Sequence, residues 1–259
     1  MILAPQGSPR LRLAMTALFG LLAWPAAAQQ VSVLTYHRFD PRVANAATVV
    51  QTQVFITQME WLRAHDISVV RLGAIVDALA GGTPLPEKSV AITADDGWRS
   101  VYTEMFPVIR RLGFPVTLFI NPPAIGHGGA YLTWAQIEDM RASGLVEFQA
   151  HTQTHPNFND DRARRTAADY AAFVDRELGG SRTLLQDHTG RVAFLAWPYG
   201  IHDAALEAAA GRDGFTAAFA LGSHPVLPNS PIFAIPRYQV YNTDNAARFA
   251  AIVAGQARH

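Results

Sequence analysis

Two adjacent carboxylic acids, Asp95 and Asp96, follow an apolar run at residues 90–92 that is typical of a buried strand. Successive strand residues point to opposite faces, so neighbouring carboxylates can lie together only where the strand ends. Gly97 permits a turn, and residues 99–112 have the pattern of a helix. Such residues also suit a simple turn and helix cap. Acids in a strand-to-helix loop nevertheless lie where α/β folds usually place their catalytic and ligand-binding residues.

Two histidines four residues apart, His151 and His155, follow a predicted strand at residues 146–150. If the backbone makes one helical turn between them, both imidazoles share a face, which is a usual spacing for metal ligands. One acid of the Asp95–Asp96 pair would complete a His-His-Asp set, and the other acid would remain free as a base. Histidine pairs at this spacing also occur by chance on surface helices. The combination with the strand-end acids is what favours a metal site.

Composition narrows the chemistry that the chain can perform. None of the 259 residues is a cysteine, which excludes disulfides, thiol catalysis and thiolate metal ligands. Any metal must therefore be held by histidine and carboxylate. The formal net charge is zero and the basic residues are scattered, so no nucleic-acid partner is expected.

Residues 1–28 are expected to be a secretory signal peptide. Arg10 and Arg12 precede an apolar run at residues 13–24, and a Pro-Ala-Ala-Ala segment then offers a cleavage site. The apolar run is short for a transmembrane helix, although an uncleaved anchor is the alternative. We therefore expect an exported protein, periplasmic or secreted, with no membrane span in the mature chain. Residues 29–259 are expected to form one domain.

Strand and helix patterns alternate from residue 31 to the end of the chain, which is typical of parallel strands with helical crossovers. The number of predicted strands favours a distorted or incomplete (β/α) barrel over an open sheet. Residues 42–53 are expected to be irregular. Residues 162–185 are expected to form one long helix that can break at Gly179 and Gly180.

Four predicted strand ends carry titratable or turn-forming residues, and a parallel barrel opens all of them on one rim. They are Tyr36-His37, Asp95-Asp96-Gly97, His151 to His155, and Pro198-Tyr199-Gly200. Turns that serve only structure do not need histidine and aspartate at each of these places. The sequence therefore predicts that the four segments converge on a single site.

Three of these segments resemble, in order, the motifs of the polysaccharide deacetylases, also called the NodB-homology family. Residues 93–97 (T-A-D-D-G) are similar to T-F-D-D-G, residues 151–155 to H-S/T-x-x-H, and residues 197–200 (W-P-Y-G) to the end of R-x-P-Y-G. The resemblance covers essentially the whole mature chain. It implies an α/β fold of the NodB type, a distorted or incomplete (β/α) barrel. It also implies a divalent metal, Zn²⁺ first and Co²⁺, Ni²⁺ or Fe²⁺ as alternatives.

The resemblance implies a role for each motif residue. Asp96, His151 and His155 would hold the metal, and Asp95 would be the general base. The backbone N–H of Tyr199 would help to hold the oxyanion. The implied reaction is hydrolysis of N-acetyl groups from N-acetylglucosamine units of a polysaccharide.

The family's general-acid histidine lies in a late L-x-H motif, for which His224 is the only late candidate. The early strand end Tyr36-His37 is the better match. It resembles the branch of poly-β-1,6-N-acetylglucosamine deacetylases, in which that last strand stands at the front of the chain. We therefore expect His37 to be the general acid, with His224 as the alternative.

The chain departs from the family motifs at two positions. Ala94 stands in place of the motif phenylalanine, and Ala196 stands in place of the arginine that orients and charges the base. Arg237, which also follows a predicted strand, is our hypothesis for the substitute, and an ordinary surface arginine is the alternative. We also expect Trp98, Pro198 and Arg237 to contact the substrate.

The leading interpretation is an exported, metal-dependent carbohydrate N-deacetylase, with poly-β-1,6-N-acetylglucosamine as one candidate substrate. A second enzyme interpretation keeps the chemistry and changes the substrate to peptidoglycan or chitin oligomers. A third, from another class, is a catalytically weak polysaccharide-binding module. Retention of both acids and both histidines argues against that module. The sequence predicts no particular protein partner.

Overall fold

The computed structural model of the protein describes residues 30–42 and 46–256. The predicted signal peptide, residues 1–28, lies outside the described residues. Within the described ranges, no helix has the length and apolar character needed to cross a membrane.

Eight of the strands form one sheet. The strands are β1 (Ser32–Tyr36), β2 (Arg38–Asp40), β3 (Val49–Gln51), β4 (Ser68–Val69), β5 (Ser89–Asp95), β6 (Val116–Ile120), β7 (Val146–Ala150), β8 (Phe194–Ala196), β9 (Ala217–Phe219) and β10 (Tyr238–Gln239). The main sheet has the order β10-β1-β5-β6-β7-β8-β9, and β4 pairs with the start of β5. Strands β2 and β3 form a separate two-stranded sheet.

Helices connect the strands and cover the sheet. They are α1 (Thr52–Ala64), α2 (Leu72–Leu79), α3 (Phe106–Leu112), α4 (Trp134–Ala142), α5 (Phe158–Ala163), α6 (Ala167–Asp175), α7 (Ser181–Thr189), α8 (Ala204–Arg212) and α9 (Ala246–Val253). A π-helical segment, Val101–Met105, precedes α3, and a second, Arg176–Gly180, joins α6 to α7. Short 3-10 turns lie at Pro122–Ala124 and Pro198–Gly200.

The main sheet curls into a distorted barrel. Its paired strands are parallel, as the alternation of strands and helices predicts. The amide of Ala218 in β9 donates to the carbonyl of Ile232 at 2.9 Å, and after β9 the amide of Gly222 donates to the carbonyl of Arg237 at 2.8 Å. These bonds join β9 to the segment that leads into β10, and β10 pairs with β1. The predicted α/β barrel class is thus confirmed.

Strands β1 and β5 are buried along their whole length because apolar side chains cover both of their faces. Alternate residues of β5 face different clusters, as the two-residue period of a strand requires. Val90 and Ile92 belong to the larger cluster, which includes Phe55 and Met59 of α1. Ala91 belongs to a second cluster. This two-sided burial fixes the strand whose carboxyl end carries the first acid of the site.

Two predicted elements differ from the structure. The stretch expected to be irregular contains β3, because buried valines there pair with β2. The single long helix expected from residue 162 is interrupted after Ala163, where Thr166 accepts a hydrogen bond from the amide of Asp169 and caps a new helix. Gly179 and Gly180 do not break that second helix but lie in its π-helical segment.

Candidate active site

The site is built on the carboxyl ends of neighbouring strands, which open on one rim in a parallel barrel. His37 follows β1, Asp95 is the last residue of β5, and His151 follows β7 directly. Tyr199 lies in the 3-10 turn after β8, and its ring centroid is 4.8 Å from that of His155. The predicted convergence of separate segments is thus present in the fold.

Three potential metal ligands point at one another. The Oδ1 atom of Asp96 is 3.5 Å from the Nε2 atom of His151 and 3.5 Å from the Nε2 atom of His155. The three ligand atoms all lie within 4.8 Å of one another. Two ligands of a tetrahedral zinc ion, each at about 2.0–2.1 Å from the metal, are about 3.4 Å apart. The residues present therefore fit a zinc-sized ion.

Hydrogen bonds orient the ligand atoms. The Nδ1 atom of His151 lies 2.8 Å from the carbonyl oxygen of Ala196. A carbonyl only accepts, so Nδ1 carries a proton, and Nε2 is the ring nitrogen that can release its proton and bind a metal. The indole N–H of Trp98 donates to Oδ2 of Asp96 at 3.0 Å, which leaves Oδ1 facing the histidines. Each of these two ligands thus presents one defined atom.

The ligand loops use left-handed backbone conformations that non-glycine residues rarely adopt. Asp96, Thr152, His155 and Tyr199 have φ angles of 71°, 64°, 58° and 57°. Each such residue costs about 1–3 kcal/mol, and such residues cluster at functional sites. The histidines are therefore brought together by an irregular loop rather than by the helical turn considered from their spacing. Within that loop the amide of His155 donates to the hydroxyl of Thr152 at 3.1 Å.

A buried glutamate, Glu177, holds the same loop from behind. Its side chain is only 4% exposed, in the π-helical segment between α6 and α7. One carboxylate oxygen accepts from the amides of Gln153 and Thr154 at 3.0 Å and 2.8 Å, and the other accepts from the Thr154 hydroxyl at 2.7 Å. Glu177 belongs to no sequence motif, so its role was not predictable from the sequence. Glu177 lies in the stretch predicted to be a long helix, and a single acid in such a helix does not indicate which groups it will contact.

The second acid of the site is paired with an arginine. Two guanidinium nitrogens of Arg237 donate to the two carboxylate oxygens of Asp95, each at 2.8 Å. Arg237 also donates to the Thr93 hydroxyl at 3.2 Å and to the Ala220 carbonyl at 3.3 Å. The guanidinium lies 5.1 Å from the centre of the Phe119 ring. Because Arg237 is fully buried, its predicted contact with substrate is not supported, and its charge acts on Asp95 instead.

Burial and charge oppose each other at the acids. Burial raises the pKa of Asp95, but the charges of Arg237 and His151 and the Arg237 hydrogen bonds outweigh it, so this pKa lies below its ordinary value. Burial likewise raises the pKa of Asp96, and the hydrogen bond and charge of His151 lower it well below the usual range. Both acids are therefore carboxylates at neutral pH.

The same opposition of burial and charge shifts the pKa values of the histidines in different directions. Burial lowers the pKa of His151, but the carboxylates of Asp95 and Asp96 outweigh burial and raise it. Burial lowers the pKa of His155, and the neighbouring His151 lowers it further. Burial also lowers the pKa of His37, although both carboxylates act in the opposite direction.

The fold separates the two general-acid candidates. The electrostatic neighbours of His37 include Asp95 and Asp96, so this half-buried histidine lies at the site. His224 is exposed in the loop after β9, and its Nδ1 atom is 3.1 Å from the carbonyl oxygen of Pro225. The structure therefore places His37 at the strand-end acids and His224 on an exposed loop.

Aromatic side chains border the site. Tyr199 is 61% exposed beside His155. Trp98 is partly buried, and the Tyr131 ring stacks on it with a centroid distance of 4.7 Å. Pro198 is buried, so its predicted contact with the substrate is not supported. The exposed surface at the ligands is thus formed by Tyr199 and, in part, by Trp98.

The fold and the site define a class: (β/α)-barrel proteins with a strand-end His-His-Asp ligand set beside a separately paired carboxylate. Residues 82–218, more than half of the chain, match the sequence profile of the family described as polysaccharide deacetylase. The chain belongs to that family, as its motifs indicate.

Curated relatives and solved structures agree with this assignment. The chain is 26% identical over 253 residues to a poly-beta-1,6-N-acetyl-D-glucosamine N-deacetylase of Escherichia coli K12, covering 84% of this chain and 37% of the relative. It is 27% identical over 198 residues to the protein of the same name in Staphylococcus epidermidis, covering 74% and 68%. The structure of IcaB from Ammonifex degensii superposes with a TM-score of 0.73 at 25% identity, covering 87% of this chain and 96% of that one. The chain thus spans little more than a third of the Escherichia coli relative.

Proposed function

We propose that the protein is an exported, metal-dependent hydrolase that removes N-acetyl groups from an N-acetylglucosamine-containing polysaccharide. The observation that carries the proposal is the pairing of a His-His-Asp ligand set with a separate, arginine-paired carboxylate at the same rim. The names of the relatives support poly-β-1,6-N-acetylglucosamine as the substrate. Export rests on the predicted signal peptide.

Asp96, His151 and His155 would hold the metal through Oδ1 and the two Nε2 atoms, which already face one another. The donor set of one carboxylate and two imidazoles suits Zn²⁺, with Co²⁺, Ni²⁺ or Fe²⁺ as alternatives. When bound, such an ion supplies Lewis-acid activation of water and of the acetamide carbonyl.

Asp95 is proposed as the general base. Its Oδ2 atom lies 3.9 Å from Nε2 of His151, so this oxygen faces the ligand set. Each carboxylate oxygen has two lone-pair sites, and the bonds from Arg237 occupy only one on each oxygen. Asp95 can therefore still accept the proton of the attacking water while Arg237 keeps it ionised.

His37 is proposed as the general acid and Tyr199 as the source of an oxyanion donor. The attacking water forms a bond to the amide carbon, and the Tyr199 N–H is assigned to the developing oxyanion. The carbon–nitrogen bond then breaks, and His37 delivers a proton to the departing amine nitrogen. The products are acetate and a glucosamine unit.

The proposal is tested by acetate release from β-1,6-linked and β-1,4-linked N-acetylglucosamine oligomers with protein first stripped of metal and then supplied with Zn²⁺. We expect release only after metal is restored, and faster release from the β-1,6-linked oligomer. A preference for the β-1,4 linkage would move the substrate to chitin oligomers or peptidoglycan. Glycan binding without any acetate release would favour the polysaccharide-binding module.

A further inference from the structure

A cavity of about 210 Å³ opens beside Trp98 on the side of β2. Its walls include Arg38, Phe39, Arg99 and Ser100. The amide of Phe39 donates to the Ser100 hydroxyl at 3.0 Å, which ties β2 to the turn after β5. Gly129 and Ala130 also line the cavity. The amide of Arg99 donates to the carbonyl of Ala130 at 2.8 Å, which fixes their loop. The cavity is therefore built by connected segments of the fold.

Positive charge dominates this cavity. Arg38 and Arg99 are exposed, and neither has an ion-pair partner among the described residues. The Arg38 guanidinium lies 5.3 Å from the centre of the Trp98 ring. Glu104 is the one acid among the described residues that line the cavity, and it accepts a hydrogen bond from the Thr52 hydroxyl at 2.9 Å. The lining residues described in the structure therefore include two cations and one carboxylate, a net positive charge.

The cavity adjoins the proposed metal site through one side chain. Trp98 lines the cavity and also donates its indole N–H to Asp96 at 3.0 Å. A sugar unit held with its acetamido group at Asp96 would therefore lie beside Trp98, which also lines the cavity. Guanidinium groups bind carboxylates and phosphates through paired charge-assisted hydrogen bonds.

We propose that the Arg38–Arg99 cavity is a subsite for an anionic substituent, a carboxylate or a phosphate, on the glycan next to the acetamido group that is removed. The inference rests on the proposed deacetylase function and specifies its substrate further. An unsubstituted N-acetylglucosamine unit offers no charge to these arginines. A deacetylated unit carries an ammonium group, which the same cations repel.

The test compares N-acetylglucosamine oligomers that differ only in a carboxylate or phosphate substituent. We expect the wild-type protein to have the higher kcat/KM on the anionic oligomers. The ratio of anionic to neutral kcat/KM should fall at least about tenfold in Arg99→Gln, because a charge-assisted hydrogen bond is lost. Arg110→Gln is the control, since Arg110 is, like Arg99, an exposed arginine, but it is not among the residues that line the cavity. In this control the ratio should stay within about twofold of wild type because no substrate contact is removed.

Two further results separate this inference from the function on which it rests. If the wild-type protein releases acetate but shows no preference for an anionic oligomer, the subsite is wrong and the deacetylase remains. If no oligomer releases acetate, calorimetric titration with a glucuronate oligomer still tests the cavity. Binding that weakens in Arg99→Gln and with added salt supports the subsite, and absence of binding, or equal binding by both proteins, overturns it.

Discussion

Arg237 and Asp95 are 142 residues apart in the sequence, yet two guanidinium nitrogens of Arg237 donate to both carboxylate oxygens of Asp95 at 2.8 Å. Both residues are buried, with 0% and 2% exposure. The related motif has its arginine two residues before Pro198, where this chain has Ala196. The cation therefore reaches the acid from the residue before β10 instead of from the end of β8. At residue 196 itself, the backbone carbonyl accepts a hydrogen bond from Nδ1 of His151.

Replacing Arg237 should shift the acid limb of the pH profile of kcat/KM. In Arg237→Met, the cation that lowers the pKa of Asp95 is gone while burial, which raises it, remains. The limb of kcat/KM that reports a deprotonated base should therefore move to higher pH. The free energy of unfolding should also fall by about 3–5 kcal/mol, because a buried charge loses its partner. Activity profiles and denaturant titrations measure the two effects.

Arg237→Lys is the control for that substitution, because it keeps the charge and loses the two-point geometry. Its acid limb should lie between those of wild type and Arg237→Met. An unchanged limb in Arg237→Met, measured on folded protein, would show that Arg237 does not set the ionisation of the base.

Metal binding should depend on the His-His-Asp set. Equilibrium dialysis of the metal-stripped protein against Zn²⁺ should give one tightly bound ion per chain, and His155→Ala should lose it because one of three protein ligands is removed. His65→Ala is the matched control, since His65 is exposed and stacks on Trp61 away from the site. Equal zinc binding by His155→Ala and His65→Ala would exclude the proposed ligand set.

Glu177 should act on the metal through the loop that it holds. The two carboxylate oxygens of Glu177 accept three hydrogen bonds from the loop. A glutamine at this position has only one acceptor oxygen. We expect Glu177→Gln to weaken Zn²⁺ binding by about 10–100-fold, as loss of groups that orient metal ligands typically does. Glu138→Gln, an exposed change on α4, is the control. If Glu177→Gln lowers the melting temperature but leaves zinc affinity unchanged, its role is structural alone.

His37→Gln separates proton donation from the rest of the reaction. Deacetylation of an N-acetylglucosamine oligomer should slow by roughly 10²–10⁴-fold, because the departing amine then lacks a positioned acid. Hydrolysis of an activated aryl acetate should slow far less, since its leaving group needs no proton. An equal loss on both substrates would indicate that His37 acts on binding or on nucleophilic attack instead.

The fold and the convergence of the motif segments were predictable from the sequence because both follow from local patterns. Buried strand runs ending in polar residues specify a parallel barrel, and such a barrel brings its strand ends to one rim. The family assignment followed from motifs of a few residues each. Even the interruption at Thr166 had a local signal, since a threonine three residues before Asp169 suits a helix start.

The supporting contacts could not be predicted because they join residues that no local pattern connects. Glu177 approaches Thr154 only when the π-helical segment packs behind the histidine loop. Asp96, which accepts the hydrogen bond from Trp98, has a left-handed backbone conformation. In a sequence, a glycine would predict that conformation, and an aspartate normally does not. The burial of Arg237 likewise depends on how β10 meets β1.

The proposed mechanism depends on the assignment of Asp95 as the base of a deacetylase whose metal would be held by its neighbour Asp96. Single-turnover acetate release from a β-1,6-linked N-acetylglucosamine oligomer by zinc-loaded Asp95→Asn tests it most directly, with zinc content measured on the same sample. We predict full zinc occupancy and a rate lower by about 10²–10⁴-fold, the range for loss of a general base. Acetate release at the wild-type rate by the zinc-loaded variant would exclude Asp95 as the base.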